Sequence, residues 1–243
     1  MNDRLVELCR QLKLGQIESL VDQIEYSDRR QYTTDLFELV LKQRETNRTK
    51  TLIKKAGFPS PRTLENFDYN PVTFPTVGTK DYILSLDFIA AKENLLMLGA
   101  VGTGKTHMAT ALGIKACLAG KRVAFYRTAH LTNALLERHE RGQLNRFLKS
   151  LAQKDLLILD EVGYVPSSKK ASELLFSLVS NSYENQSIII TSNLELGRWN
   201  EVFGDDRLTN ALIDRLIHHS HILAFAGESF RFKQALSKRT ALP

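Results

Sequence analysis

The stretch Asn94–Gly113, NLLMLGAVGTGKTHMATALG, imposes a strand, a glycine turn and a helix in immediate succession. The apolar run NLLML has the length of a short strand covered on both faces, and a helix-forming run begins at Thr106. Between them, Gly99, Ala100, Val101, Gly102, Thr103, Gly104, Lys105 and Thr106 fit the pattern G-x-x-x-x-G-K-[ST]. Glycines let the backbone wrap so that successive N–H groups point inward, and the following helix adds its positive N-terminal end. Such a nest cradles phosphate. Lys105 would reach the β- and γ-phosphates of a nucleoside triphosphate, and Thr106 would hold Mg²⁺ through its hydroxyl. His107, next in line, joins the expected contact set. ATP and Mg²⁺ are the expected ligands.

A phosphate loop of this kind works with an acidic partner on a neighbouring strand. DLLILDE supplies one: an apolar run that delivers Asp160 and Glu161 to the C-terminal end of a strand, where ligands of open α/β sheets bind. Asp160 would act on Mg²⁺, directly or through water. Glu161 would orient and deprotonate an attacking water, which argues for hydrolysis. A third apolar run, SIIITSN, ends in Ser192 and Asn193. Asn193 would hold the water or sense the γ-phosphate, although a capping asparagine reads the same way.

Together with RVAFYRT, these runs give four strand candidates separated by helical stretches. The alternation predicts an α/β core with a mostly parallel sheet flanked by helices. Residues 1–56 read as helical, with Leu5, Leu8, Leu12, Ile17, Leu20 and Ile24 at helical spacing. Four of the six prolines, Pro59, Pro61, Pro71 and Pro75, then interrupt the pattern. The expected organisation is a small helical N-terminal domain with its linker over 1–66 and a P-loop domain over 67–243.

No apolar run approaches the roughly 18 residues of a membrane span. MNDRLVELCRQ lacks the apolar core of a signal peptide. A cytoplasmic protein without a membrane partner is expected. Cys9 and Cys117 lack metal-ligand spacing and read as buried small hydrophobes. His218, His219 and His221 have no carboxylate or cysteine at ligand spacing. Trp199, the single tryptophan, reads as core or interface packing.

The motif set resembles the AAA+ ATPases, and most closely the IstB-like transposition helpers, relatives of the DnaC helicase loaders. The likeness is carried by NLLMLGAVGTGKTHMATALG, DLLILDEVGYVP, LLFSLVSNSYENQSIIITSN, WNEVFGD, ALIDRLIHHS and GESFR, over roughly residues 5–235. It implies that Asn193 is the first sensor and that Arg231 is the second, contacting the γ-phosphate in cis. It implies further that Arg215 is an arginine finger acting on ATP held by a neighbouring subunit, whereas the residues alone leave Arg215 paired with Asp214 as an alternative. A guanidinium suits either task, being permanently charged with a rigid fork of donors. A trans-acting arginine makes a homo-oligomer part of the chemistry. Ala100 and Val101 stand where many relatives carry prolines, which leaves Lys105 and Thr106 untouched.

The formal net charge of +6 suggests a polyanionic partner. Between Lys115 and Lys149 lie eight Lys or Arg residues against two acids, with Arg138, Arg141, Arg146 and Lys149 in helical rhythm. In loader-type AAA+ proteins this region is an inserted helical wedge, and the resemblance places DNA phosphates near these cations. No aromatic cluster is interleaved with them, so backbone contact to double-stranded DNA is expected rather than base stacking. A solvated charged helix fits the same pattern. Lys169 and Lys170 are a second candidate, equally readable as plain surface lysines. Lys42, Arg44, Arg48, Lys50, Lys54 and Lys55 face one acid, Glu45, and form either a solvated face or a helix that binds DNA or a partner.

The resemblance implies an ATPase that assembles on duplex DNA and assists a transposase. A DnaC-type loader acting on single strands would share the same catalytic residues. A nucleotide-switched DNA-binding module with little turnover is a third reading, against which Glu161 speaks.

Overall fold

A computed structural model of the chain describes residues 3–25, 28–164, 168–230 and 232. The chain forms two compact units, Met1–Thr51 and Leu52–Pro243. The first contains α1 (Asp3–Gln11), α2 (Ile17–Leu20), a 3₁₀ turn over Val21–Gln23 and most of α3 (Arg29–Ala56). Asp28 starts α3 by accepting from the backbone N–H groups of Arg30 and Gln31 at 2.8 and 3.0 Å. Cys9, Ile17, Leu20 and Val40 form this unit's core, with Leu14, Leu36 and Leu39 against it. Leu8 and Leu12 lie outside that core and are exposed.

The division between the units falls inside α3, nearer the N-terminus than the proline-rich segment. Residues 52–66 read in sequence as the end of the helical domain and its linker. In the structure, Leu52, Ile53, Ala56, Phe58 and Leu64 pack on the core of the second unit.

In the second unit β1 (Val72–Thr73), α4 (Thr79–Ser85) and α5 (Asp87–Ala90) precede β2 (Asn94–Gly99) and α6 (Lys105–Leu118). Then come β3 (Val123–Arg127), α7 (Thr128–Glu140), α8 (Leu144–Ala152) and β4 (Leu156–Val162). The order continues with α9 (Lys169–Ser182), β5 (Ser187–Ser192), α10 (Asn200–Phe203), α11 (Asp206–His218) and β6 (Ser220–Phe225). The sheet order is β1-β6-β2-β5-β4-β3, parallel throughout except for the short β1.

Strand periodicity explains why the four sequence runs are nearly continuously apolar. Leu95, Met97, Leu156, Ile158 and Ile189 enter the core on one face. Leu96, Leu157, Leu159, Ile188 and Ile190 enter the core on the other. With helices covering both sides, neither parity of side chain can be polar. Each of these side chains contributes about 1.5–3 kcal/mol by leaving water. Trp199 lies fully buried in the second of these cores, beside Phe203. Cys9 and Cys117 are both buried and free.

β6 and β1 extend the sheet beyond the four runs visible in sequence. β6 begins Ser220–His221–Ile222, three half-exposed residues, so its pattern lacks the unbroken apolar character of its neighbour. At the N-terminal edge of the sheet the buried Asn94 joins three elements. Its amide donates to the Leu216 carbonyl at 3.3 Å and its oxygen accepts from the Ile188 N–H at 3.0 Å. Replacing Asn94 with Leu strands both backbone groups away from water. The expected cost is about 1–3 kcal/mol, read as a lowered urea midpoint with an unchanged m-value.

Candidate nucleotide site

The phosphate loop connects the C-terminal end of β2 to α6. Gly99 has φ 146°, and a Cβ there would stand 2.1 Å from the Phe225 carbonyl oxygen, so only glycine lets β2 leave the sheet beside β6. Gly102 has φ 82°, and a Cβ on it would strike the Ser229 hydroxyl. The Gly102 carbonyl accepts from the Phe230 N–H at 3.0 Å. The loop is thus braced by the segment that follows β6. α6 begins with Gly104 as its N-cap and no side-chain cap, so its first N–H groups are left for a ligand.

Lys105 folds back into this loop. Its ammonium donates to the carbonyls of Gly99 and Ala100 at 2.5 and 2.6 Å and lies 3.4 Å from the Thr103 hydroxyl. The residue is only 8% exposed. Burial pushes its pKa down to about 8, against the opposing attraction of Asp160.

Asp160 is buried at the end of β4. Its Oδ1 accepts from the Thr106 hydroxyl at 2.8 Å and from the Thr191 hydroxyl at 2.6 Å. Its Oδ2 is buried with no hydrogen-bond partner among the described residues. A carboxylate oxygen left in that state costs about 1–3 kcal/mol or more. A hydroxyl, a carboxylate with a vacant lone pair and an adjoining phosphate nest suit Mg²⁺, a hard cation that takes oxygen ligands. The residues therefore fit that ion.

Glu161 follows immediately, in the left-handed region at φ 61°. The β4–β5 register breaks between Leu159 and Val162, as a bulge requires. The Glu161 N–H donates to the Thr191 hydroxyl at 2.9 Å. One threonine on β5 thereby fixes both members of the acidic pair. The Glu161 carboxylate is 45% exposed and stands 3.8 Å from the Arg127 guanidinium at the end of β3. It also lines a cavity of about 330 Å³ with Thr128, Thr132, Asn133 and Phe203. Thr128 ties the start of α7 to this corner by donating to the Asp160 carbonyl at 2.9 Å.

Thr191, Thr128 and Arg127 escaped the sequence reading, as did Phe67. The Phe67 ring would lie 3.3 Å from a Cβ at Gly104. It meets His107 edge-on at 5.3 Å and Tyr69 at 4.9 Å. His107 is held by the Thr63 carbonyl at 2.8 Å. These rings form an aromatic wall beside the phosphate loop. The adjacency of Phe67 and Tyr69 in ENFDYNP was its only trace in sequence.

The remaining expected residues lie in different places. Asn193 is exposed, just beyond β5. Arg215 lies near the opposite edge of the sheet. The carbonyl of its neighbour Leu216 bonds Asn94, at the start of β2, about 16 Å along the strand from Gly99 at roughly 3.3 Å per residue. Arg215 donates to the Ser180 hydroxyl and stacks over the Phe176 ring at 4.8 Å. Arg231 lies outside the described residues.

The cations expected at DNA divide sharply. Arg138 is half-buried, its guanidinium over the Phe147 ring at 4.1 Å and bonded to the Ala134 carbonyl. It clamps α7 to α8. Arg141 pairs with Glu137 at 2.9 Å, and Lys170 with Glu173 at 3.4 Å. Arg146, Lys149 and Lys169 are exposed. Of the three histidines, His218 bonds the Tyr183 hydroxyl, His219 lies 3.8 Å from Glu184, and His221 bonds Glu93 at 2.8 Å. Among the described residues no cluster of three His, Cys, Asp or Glu side chains could hold a metal. No helix among them is long and apolar enough to cross a membrane.

Comparison with known proteins now bears on this geometry. The family model described as IstB-like ATP binding protein matches residues 8–238. The ATP-binding protein of insertion sequence IS21 from Pseudomonas aeruginosa is 42% identical over 185 residues, covering 75% of this chain and 69% of that protein. Its counterpart in insertion sequence IS5376 from Geobacillus stearothermophilus is 34% identical over 96% of both chains. Among solved structures, AMPPCP-bound DnaA from Aquifex aeolicus superposes with a TM-score of 0.56 at 26% identity, over 76% of this chain and 57% of that one. The DnaC helicase loader, at 23% identity and a TM-score of 0.53 over 68% of this chain and 96% of that one, shares the fold. The chain belongs to the IstB-like ATP-binding proteins of insertion sequences, built on the P-loop AAA+ fold.

Proposed function

We propose that this protein hydrolyses ATP as an oligomer on double-stranded DNA and assists a transposase in insertion-sequence transposition. One observation carries the hydrolytic part. A buried Asp160 anchored by Thr106 and Thr191 stands next to a half-exposed Glu161 at the mouth of a lysine-bearing phosphate loop. A protein built only to hold nucleotide has no need of the second carboxylate.

ATP would lie with its phosphates along Gly99–Thr106 and its base toward Phe67, Tyr69 and His107. Lys105 would exchange its carbonyl partners for the β- and γ-phosphate oxygens. Thr106 and Asp160 would hold Mg²⁺, which when bound neutralises charge developing on the phosphates. Glu161 would take a proton from the attacking water once its carboxylate turns from Arg127 toward the γ-phosphate. Asn193 would orient that water. Arg231 would meet the γ-phosphate in cis.

Arg215 stands too far from its own loop to reach the nucleotide bound there, which supports a role at the loop of an adjacent copy. ATP at the seam would then join subunits, and hydrolysis would loosen them. For DNA, the exposed Arg146 and Lys149 on α8, with Arg141 and Lys169, offer phosphate contacts. Arg138 serves the α7–α8 clamp. The insertion-sequence relatives support a transposase as the macromolecular partner, with the N-terminal helical unit as its docking module.

Three measurements test this reading. Lys105 must be charged to bind phosphate, and its pKa in the free protein is about 8. Binding therefore takes up a proton above that pH, and ATP affinity should weaken by up to about tenfold per pH unit beyond pH 8. Calorimetry in buffers of different ionisation enthalpy reads the proton directly, and Lys105→Ala should bind no ATP at any pH. Glu161→Gln should bind ATP normally, release phosphate at least about a hundredfold more slowly and stay on duplex DNA. Rapid dissociation of that variant with ATP present would contradict the general-base role. Neutralising Arg146 and Lys149 together should lower the slope of log affinity against log salt by about 2. An unchanged slope moves the DNA contact elsewhere.

A further inference from the structure

The side chain of Arg215 is not left to wave in solvent. Phe176 and Ser180 are four residues apart on α9 and so project from one face of that helix. Between them they hold the Arg215 guanidinium, its Cζ 4.8 Å from the centroid of the Phe176 ring and one N–H donating to the Ser180 hydroxyl. Phe176 borders the apolar core between α9 and α11, whereas Ser180 is no part of that core. Leu175, Leu178 and Val179 already bury against Leu212 and Leu216 in the apolar core. A stacked guanidinium spends one of its five N–H donors on Ser180, its only hydrogen bond among the described residues. The remaining donors keep their direction.

We propose that Phe176 and Ser180 are positioning residues that hold Arg215 in the orientation in which it meets a triphosphate on an adjacent copy of the chain. The inference rests on the shared-seam reading above and adds the device that makes the arginine ready. A free arginine loses about 2 kcal/mol of rotamer entropy when it is fixed. An arginine already fixed by its own subunit does not incur that loss at the seam, so the gain appears in turnover of the assembly and not in the ATP affinity of an isolated chain.

The test mixes variants of the full chain on duplex DNA. On duplex DNA, Ser180→Ala and Phe176→Leu should each lower kcat for ATP about three- to tenfold, with the ATP affinity of the isolated chain unchanged and, for Ser180→Ala, the melting temperature unchanged as well. Ser180→Thr should restore the rate by restoring the hydroxyl. Each defective chain keeps an intact phosphate loop, and Lys105→Ala keeps an intact Arg215 cradle. Mixing Ser180→Ala with Lys105→Ala should therefore raise activity above the sum of the two alone. Arg215→Ala mixed with Lys105→Ala is the control. If that control regains activity and the Ser180→Ala and Phe176→Leu mixtures do not, the positioning role is wrong. If both variants turn over normally alone, it is wrong as well. If the Arg215→Ala control itself gains nothing, the shared seam fails, and the positioning role fails with it.

Discussion

The hydrogen bonds that converge on Asp160 hold the functional end of this fold together. Thr106 reaches the carboxylate from α6, Thr191 reaches it from β5, and Thr128 reaches its backbone carbonyl from the first turn of α7. Burying a carboxylate near the end of an interior strand is unfavourable unless its oxygens are satisfied. Among the described residues, one oxygen here has two donors and the other has none. The site is therefore complete on its protein side and unbalanced on its ligand side, which suits a polar ligand and disfavours any apolar occupant. The same threonine that anchors Asp160 receives the Glu161 N–H, so the bulge that aims Glu161 outward is locked to the residue that points Asp160 inward.

This arrangement shows why parts of the structure were readable from sequence and parts were not. Runs such as LLILD and SIIITS stand out because both faces of their strands are covered. The phosphate loop stands out because left-handed and close-packed backbone demands glycine at Gly99 and Gly102. Thr191 was hidden because a threonine inside an apolar β-branched run looks like ordinary strand filler. Only the register of β5 against β4 reveals that its hydroxyl faces Asp160. β6 was hidden for the opposite reason: its first half is only half-covered and carries His221, tied to Glu93. The place of Arg138 over Phe147 was hidden because helical rhythm among cations cannot separate a solvent-facing charge from one lying over an aromatic ring of the next helix.

The separation of Lys105 from Arg215 then acquires an energetic meaning. The two cations occupy opposite ends of β2, so no rearrangement of side chains alone brings both to one phosphate. A hydrogen bond to a charged group contributes about 1.5–3 kcal/mol. On the proposed shared seam, one arginine contact would therefore shift subunit affinity by roughly 10- to 150-fold between the triphosphate and the product state. That is too little to make a single pair of subunits permanent. Over a row of such seams on one DNA molecule the same increment would recur, and the proposed assembly would be sharply sensitive to how many pockets hold ATP. Such a design needs no large conformational change in any subunit. It needs the arginine to be in place beforehand, since an increment of this size would otherwise be lost to ordering the side chain.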